Sequence, residues 1–365
     1  MGRTYFFAGG GTGGHIYPAL AVAERIKELE PSASIVFLVS ERSVDEAILS
    51  KTDFKFIKLN ACGFSLRPSG FAAFLRRFRE SYHAAAGHLK KAEKPLVIGV
   101  GGFVSSPVCV AAWRAKIGVK LINVDFFAGK ANKLNKFFAE QIFVQFDETR
   151  DDFKNKNVQV VGCPLRREFD SLNGEKAFTT LNLDENKKTL LITGASTGAK
   201  SVNDSVCSLL GKLDSFADLW QIVHVTGRNN YSDVLGRYKK ARIKSVVVDY
   251  CDFMPELLGA ADLVIGRSGA VSVAEYAAAG LPAICMPYPH HRDRHQYFNA
   301  EKLVEAGAAI VVDDLPDENE RTEWLWEELS ELLNNEQMLK EMRDNAGKIG
   351  KKDAALRIAE MIISG

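Results

Sequence analysis

Residues able to hold an anion beside a polyhydroxylated group are concentrated between Gly266 and Asn299. An apolar run, Ala261 to Ile265, meets a tight turn, Gly266 to Gly269. An alanine-rich helix carrying Glu275 follows, and Gly280 and Pro282 stop it. A short strand, Ala283 to Met286, leads into a polar loop with His290, His291, Asp293, Arg294, His295, Gln296 and Asn299. Strand, glycine turn, helix and strand make a βαβ unit. Its turn, Ser268-Gly269-Ala270-Val271-Ser272, presents backbone N–H groups at a helix N-terminus, where hydrogen bonds and the helix dipole favour a phosphate. A glycine turn by itself also serves close packing of a helix on a sheet. The polar run after it tips the reading toward a ligand, because ordering so many hydrogen-bonding side chains costs entropy that a bound group must offset.

Three further glycine-rich stretches share this strand-to-helix setting. Tyr5 to Ala8 is a short apolar strand; Gly9 to Gly14 and His15 follow, and a helix is expected from about Pro18 to Glu30. Proline at a helix start loses nothing, since its missing N–H would be unbonded there. Gly9, Gly11 and Gly14 match GxGxxG, and Glu41 follows the second strand, Ile35 to Val39. This layout also fits a dinucleotide site and hence a dehydrogenase. Gly101-Gly102-Phe103-Val104-Ser105-Ser106 ends the strand Leu96 to Val100, and Gly194-Ala195-Ser196-Thr197-Gly198-Ala199 ends the strand Thr189 to Thr193. His15, closing a glycine loop at a helix start, titrates in the range a general base needs.

These turns need parallel strands with helices between them. Further strands are predicted at Lys120 to Val124, Gln141 to Gln145, Val158 to Val161, Gln221 to Val225, Ser245 to Tyr250 and Ala309 to Val312. The chain of 365 residues is comfortable for two domains. We expect two doubly wound α/β domains facing each other across a cleft, residues 1–164 and 165–349, with a helix in residues 350–365 packing back on the first. The break lies in the charged, weakly periodic stretch from Pro164 to Asn182.

Composition removes several classes. Lys and Arg (47) balance Asp and Glu (46), so no nucleic-acid surface is implied. The six cysteines are scattered without a CxxC pair and read as reduced, mostly buried thiols. No ligand cluster for a metal, no membrane-length apolar stretch and no signal-peptide layout is visible. The segment Phe64 to His83 stands apart: Phe71, Phe74, Leu75 and Phe78 share one helical face, and Arg67, Arg76, Arg77 and Arg79 surround it. Such a helix can lie on an anionic membrane surface or simply pack on the sheet.

Taken together, GGGTGGHIYPALA, GVGGFVSSP, GASTGA, RSGAVSVAEYAAAGLP and DRHQYFNA resemble the MurG family, in the right order from Gly9 to Ala308. These are the UDP-N-acetylglucosamine (UDP-GlcNAc) transferases that convert lipid I to lipid II in peptidoglycan synthesis. The resemblance implies a GT-B fold and an inverting transfer of GlcNAc to the C4 hydroxyl of the N-acetylmuramic acid of lipid I, with no cofactor. It also implies a peripheral location on the cytoplasmic face of the cell membrane, with cell-wall synthesis proteins as partners. On the donor side it implies a cradle from Ser196 and the turn Ser268, Gly269, Ala270, Val271 and Ser272. Glu275 would take the ribose, Arg166 and Cys251 would lie near the uracil, and Gln296 and Asn299 would read the sugar. His295 stands where the family often has a second Gln.

On the acceptor side, Gly11, Thr12, Gly13, Gly14 and His15, with Gly101, Gly102, Ser105 and Ser106, resemble the lipid-diphosphate site. The family commonly has HEQN where this chain reads Ile122-Asn123-Val124-Asp125. Asp125 stands at the Asn position and the Glu is lost, so either His15 or Asp125 serves as base, or the acceptor differs from standard lipid I. A UDP-GlcNAc 2-epimerase and a non-catalytic UDP-GlcNAc-binding protein remain the rivals on the same fold.

Overall fold

The computed structural model describes residues 2–64 and 67–365, with the backbone alone at Pro68 and Ser196. The chain divides into two compact units, Met1–Arg166 with Asp353–Gly365, and Arg167–Lys352. Unit 1 holds β1 (Thr4–Ala8), β2 (Ser34–Ser40), β3 (Lys55–Leu59), β4 (Leu96–Gly99), β5 (Val119–Asn123), β6 (Gln141–Val144) and β7 (Val158–Val160). Their spatial order is β3-β2-β1-β4-β5-β6-β7, and every pairing is parallel. The helices are α1 (Gly13–Leu29), α2 (Ser43–Leu49), α3 (Pro68–Lys91), α4 (Ser105–Arg114) and α5 (Lys130–Asn135).

Every side chain of β1 and β5 is buried, as a parallel sheet covered on both faces requires. One face packs Phe6, Leu38, Val97, Leu121 and Ile142 against Ala85 and Leu89 of α3 and Val108 and Ala112 of α4. α1 packs with the C-terminal helix Ala354–Ser364, whose Ile358 and Ile362 are fully buried.

Unit 2 holds β8 (Lys188–Thr193), β9 (Trp220–Val225), β10 (Ser245–Val248), β11 (Leu263–Gly266), β12 (Ala283–Cys285) and β13 (Ala309–Val311), ordered β10-β9-β8-β11-β12-β13 and all parallel. Its helices are α6 (Glu175–Leu181), α7 (Lys200–Ser208), α8 (Leu210–Leu213), α9 (Tyr231–Tyr238), α10 (Met254–Gly259), α11 (Ala270–Ala278), α12 (His295–Glu305), α13 (Glu318–Asn334) and α14 (Glu336–Ile349). Ile192, Ile222 and Ile265 meet Val202 and Val206 of α7 and Leu325 and Leu329 of α13 in one core.

Two local expectations are corrected. α1 begins at Gly13, so Pro18 lies inside the helix and not at its start. Proline there deletes the bond to the Gly14 carbonyl, which costs about 3 kcal/mol in a regular helix. Burial of Ile16 on the turn before it keeps that turn helical nonetheless. Likewise, the polar loop ends at Arg294, whose φ of 49° marks the left-handed region, and His295, Gln296 and Asn299 lie on α12. β3 and α2 have no counterpart in the sequence reading. β3 alternates Lys with apolar residues at a sheet edge, a weak pattern over so short a run.

Candidate active site

Each sheet changes winding direction once, between β1 and β4 in unit 1 and between β8 and β11 in unit 2. Crevices at the carboxyl ends of such strand pairs are where open α/β sheets take ligands. All four glycine stretches fall there.

In unit 1 the loops after β1 and β4 interlock. A Cβ on Gly102 (φ +76°) would stand 2.6 Å from the Gly10 carbonyl oxygen, and one on Gly9 would stand 2.8 Å from that of Gly101. Only glycine permits this approach. The Asp45 carboxylate, fully buried in the first turn of α2, fixes the first loop. It accepts the Gly11 N–H (2.8 and 2.9 Å), the Ser40 N–H (3.1 Å) and the Ser40 hydroxyl (2.5 Å). Arg42 donates to the Gly11 carbonyl (2.9 Å) and lies over the Phe103 ring, tying the two loops together. Asp45 and Arg42 were not anticipated from sequence. Acid in a helix's first turn is too common to signal a loop anchor.

His15 sits where the loops meet. A Cβ on Gly101 (φ +97°) would lie 3.0 Å from its Cδ2 and Nε2, so glycine there makes room for the ring. Thr12 Oγ1 lies 3.1 Å from its Nδ1. Burial lowers the imidazole's pKa, while the carboxylates of Asp125 and Asp45 and the Gly10 backbone act the other way. The ring is therefore neutral near pH 7 and able to take a proton. The structure brings His15 and Asp125 within each other's field. Asp125 is half-buried just past β5, its carbonyl accepting from Asn123 Nδ2 (2.8 Å).

Beneath them are buried asparagines that the sequence reading missed. Asn132 Nδ2 donates to the Ile122 carbonyl and to Asn123 Oδ1, each at 3.1 Å. Asn135 donates to Ser105 Oγ (3.0 Å), which donates to the Gly102 carbonyl (2.8 Å). Asn132 Oδ1 and Asn135 Oδ1 are buried and without partners among the described residues. Ser106 is also buried, and Gly13 and Gly14 open α1 behind an extended Thr12.

Unit 2 repeats the device. Gly198 (φ +75°) and Gly227 (φ +79°) come so close that a Cβ on Gly227 would stand 2.5 Å from the Thr197 carbonyl oxygen. Ala195 holds a φ of 58°, an uncommon conformation for a residue with a Cβ. Ser196 follows it in the turn Ala195–Thr197. At the next strand, a Cβ on Gly266 would meet the Tyr276 hydroxyl at 2.5 Å, and that hydroxyl donates to the Arg267 carbonyl (3.2 Å). Arg267 is buried. It donates to the Met286 carbonyl (2.8 Å) and to Ser201 Oγ (2.9 Å) and pairs with Asp314 (2.8 Å), which also faces Arg321 (3.6 Å). Two guanidiniums share one carboxylate, so the ground under the turn is net positive.

The turn itself is open to an anion. Gly269, which has no side chain to cap with, precedes α11, and among the described residues no side-chain cap bond is made there. Ser268 is fully buried and its Oγ has no partner among the described residues. Asn299 Nδ2 holds the Ser268 carbonyl (3.2 Å), bringing α12 onto the turn, and Gln296 Oε1 accepts the Tyr288 N–H (3.0 Å). Glu275 is half-buried on α11, and Cys251 is buried after β10.

Residues 5–144 match the glycosyltransferase family 28 N-terminal domain, and residues 189–358 match the family 28 C-terminal domain. The chain is 35% identical to the UDP-N-acetylglucosamine–N-acetylmuramyl-(pentapeptide) pyrophosphoryl-undecaprenol N-acetylglucosamine transferase of Thermoanaerobacter sp. (strain X514), over 99% of each chain. The chain belongs to the MurG family. Its fold is GT-B, as in the crystal structure of Acinetobacter baumannii MurG, with a TM-score of 0.74, 24% identity and full coverage of both chains. The UDP-GlcNAc 2-epimerase from Neisseria meningitidis has the same fold, with a TM-score of 0.69, 15% identity and full coverage of both chains.

Against this MurG background, the dehydrogenase reading of Gly9, Gly11, Gly14 and Glu41 loses its footing. Glu41 is exposed, and both halves of the chain match glycosyltransferase family 28 domains. Arg166 belongs to unit 1, although the sequence reading began the donor domain at residue 165; its guanidinium lies over the Tyr17 ring of α1 at 4.8 Å. All six cysteines are free thiols; burial pushes Cys109 and Cys285 up to about 12. Among the described residues, no group of three or more His, Cys, Asp or Glu is placed to hold a metal ion, and no helix is long and apolar enough to cross a membrane.

The basic amphipathic segment becomes α3 from Pro68 onward; Ser65 and Leu66 lie outside the described residues. Phe64 (62% exposed), Phe71 (41%) and Leu75 (51%) stand on the surface. Phe64 packs its ring against Phe71 and Phe74, while Phe74 and Phe78 are half-buried, so only part of the expected apolar face is exposed. Arg76 faces Glu80 at 3.7 Å, so part of the basic charge is answered within the helix.

Proposed function

We propose that this chain moves GlcNAc from UDP-GlcNAc to lipid I, giving lipid II for peptidoglycan synthesis. What carries the reading is kinship over the whole chain with transferases of that name. Unit 1 takes the acceptor and unit 2 the donor. The acceptor's C4 hydroxyl attacks C1 of the sugar with inversion, the C1–O bond to the diphosphate breaks, and its electron pair leaves with UDP. His15, neutral because it is buried, takes the hydroxyl proton, and Asp125 stabilises the imidazolium that results. The glycine loops Gly11 to Gly14 and Gly101 to Ser106 hold the lipid diphosphate.

In unit 2 the leaving diphosphate is held by Ser196, the α11 N-terminus with Ser268, and the positive ground supplied by Arg267 and Arg321. Glu275 accepts the ribose hydroxyls, the uracil lies by Cys251, and Gln296 and Asn299 orient the sugar. The lipid tail stays in the bilayer, so the exposed cluster of Phe64, Phe71 and Leu75 docks on the anionic cytoplasmic face of the cell membrane as a peripheral contact.

The deciding experiment supplies labelled UDP-GlcNAc and a lipid I analogue to the full chain. Label should pass to the lipid. Donor binding without transfer would sink the transferase reading in favour of a binding protein. Conversion of UDP-GlcNAc to its C2 epimer without acceptor would sink it in favour of an epimerase.

A further inference from the structure

Arg42 stands beside the two glycine loops of unit 1. Its Nη1 donates to the Gly11 carbonyl (2.9 Å), and its Cζ lies 5.4 Å from the centroid of the Phe103 ring. A Cβ on Gly11 (φ +90°) would stand 3.5 Å from Nη1 and 3.7 Å from the ring's Cε1, so glycine leaves the guanidinium seated between loop and ring. The backbone is held as well: the Arg42 N–H reaches Ser40 Oγ (3.3 Å), the hydroxyl that donates to Asp45. Arg42 is nonetheless exposed, and among the described residues its remaining guanidinium N–H groups have no hydrogen-bond partner. A planar fork fixed by one arm and one face can meet two oxygens of one anion with the arms left open.

The charge around these loops calls for such a cation. The Gly11 N–H is already taken by the Asp45 carboxylate. Asp45 and Asp125 both act on His15, so two carboxylates stand close to the loops. Backbone N–H groups carry only partial charge, and a glycine loop beside two carboxylates is a poor host for a dianion until a full positive charge answers them. Reach points the same way. In the acceptor, the attacking C4 hydroxyl and the diphosphate on C1 lie across one sugar ring. Whatever grips the diphosphate must therefore stand within a sugar's width of the base. Arg42 grips Gly11, and Thr12, the next residue, places its Oγ1 3.1 Å from His15 Nδ1.

We infer that Arg42 binds the diphosphate of the lipid acceptor and sets acceptor affinity. This rests on the reading of unit 1 as the acceptor site. The guanidinium keeps its bond to Gly11 and its face on Phe103, and offers its outer N–H groups to non-bridging phosphate oxygens. The acceptor diphosphate takes no part in the bond changes of the transfer, so its charge is the same in the ground state and the transition state. A group that holds it contributes uniform binding, which is read in KM and not in kcat.

The test is steady-state transfer by the full chain, with saturating UDP-GlcNAc and a short-chain, water-soluble lipid I analogue. Arg42→Gln should raise the acceptor KM about tenfold, with kcat and the calorimetric affinity for UDP-GlcNAc little changed. Arg42→Lys keeps the charge without the fork and should recover part of that loss. An analogue whose diphosphate is replaced by an uncharged linker should show the same KM with wild type and Arg42→Gln. A wild-type acceptor KM in Arg42→Gln, or a KM penalty that persists with the uncharged analogue, overturns the inference. So does a fall in kcat and melting temperature without a change in KM, which would make Arg42 a tie between loops and nothing more. If the wild type transfers to neither analogue, the acceptor reading of unit 1 falls as well.

Discussion

At the scale of single residues, the base and the ribose acceptor carry the sharpest expectations. Burial holds His15 neutral and the nearby Asp125 favours its charged form. His15→Ala should lower kcat by about 10²–10⁴ with donor affinity little changed. Asp125→Asn restores the residue common in the family and removes a carboxylate that raises the His15 pKa. The acidic limb of the kcat/KM profile should then move to lower pH, because a base with a lower pKa stays unprotonated further into acid. Steady-state kinetics across pH checks both. If Asp125→Asn abolishes transfer and His15→Ala spares it, the two roles are exchanged. Glu275→Ala should weaken UDP-GlcNAc binding by roughly 1–3 kcal/mol, the scale of hydrogen bonds to a charged group, measured by calorimetry.

At the scale of elements, β9 carries a proton switch for stability that the chemistry does not use. His224 is fully buried. Its Nδ1 lies 2.9 Å from the Tyr238 hydroxyl and its Nε2 lies 3.0 Å from Asn203 Oδ1, and Asn203 Nδ2 donates to the Thr226 carbonyl at 3.0 Å. With that amide fixed, Nε2 carries the proton and Nδ1 accepts. The relay ties α7 and α9 to the loop that interlocks with Gly198. Burial lowers the His224 pKa from 6.5 to about 3. Between those values the unfolded chain binds more protons than the folded one, so stability falls as pH drops through that window, by at most about 5 kcal/mol. Urea unfolding from about pH 7 down to about pH 4 should show this slope. His224→Gln should flatten it at a cost of roughly 1–3 kcal/mol at neutral pH, since one neighbour loses its partner.

At the scale of the whole molecule, net charge is only +1. Long-range attraction to a membrane is therefore weak, and contact depends on a local patch. Phe64, Phe71 and Leu75 supply the apolar part, and Arg67, Arg76, Arg77 and Arg79 supply attraction of about 1 kcal/mol each near anionic headgroups. The Arg76–Glu80 pair trims that total. Replacing Arg76, Arg77 and Arg79 with Gln should release the chain from anionic vesicles, as should high salt with the native sequence. Transfer to a short-chain, water-soluble acceptor should survive. Flotation assays that find no vesicle binding, or none lost in the triple variant, would move the docking face elsewhere.

The parallel α/β architecture and the four glycine turns at strand ends were legible in the sequence because their requirements are local. A strand buried on both faces needs a continuous apolar run, as in Tyr5 to Ala8. A turn with positive φ or a crossing backbone needs glycine at that position, as at Gly102, Gly198 and Gly227. What fills the turns was decided by the tertiary structure. Asp45 anchors Gly11 across 34 residues of chain, Asn135 holds Ser105 across 30, and Asp314 pairs with Arg267 far along the sequence. Nothing in the type of an Asp or Asn announces so distant a partner. The same holds for Pro18, which reads as a helix start until burial of Ile16 extends α1 upstream, and for His295, which reads as loop until Asn299 docks α12 on Ser268. Local geometry is written in residue type. The partners of a buried polar group exist only once the chain has closed on itself, because only removal from water makes their pairing necessary.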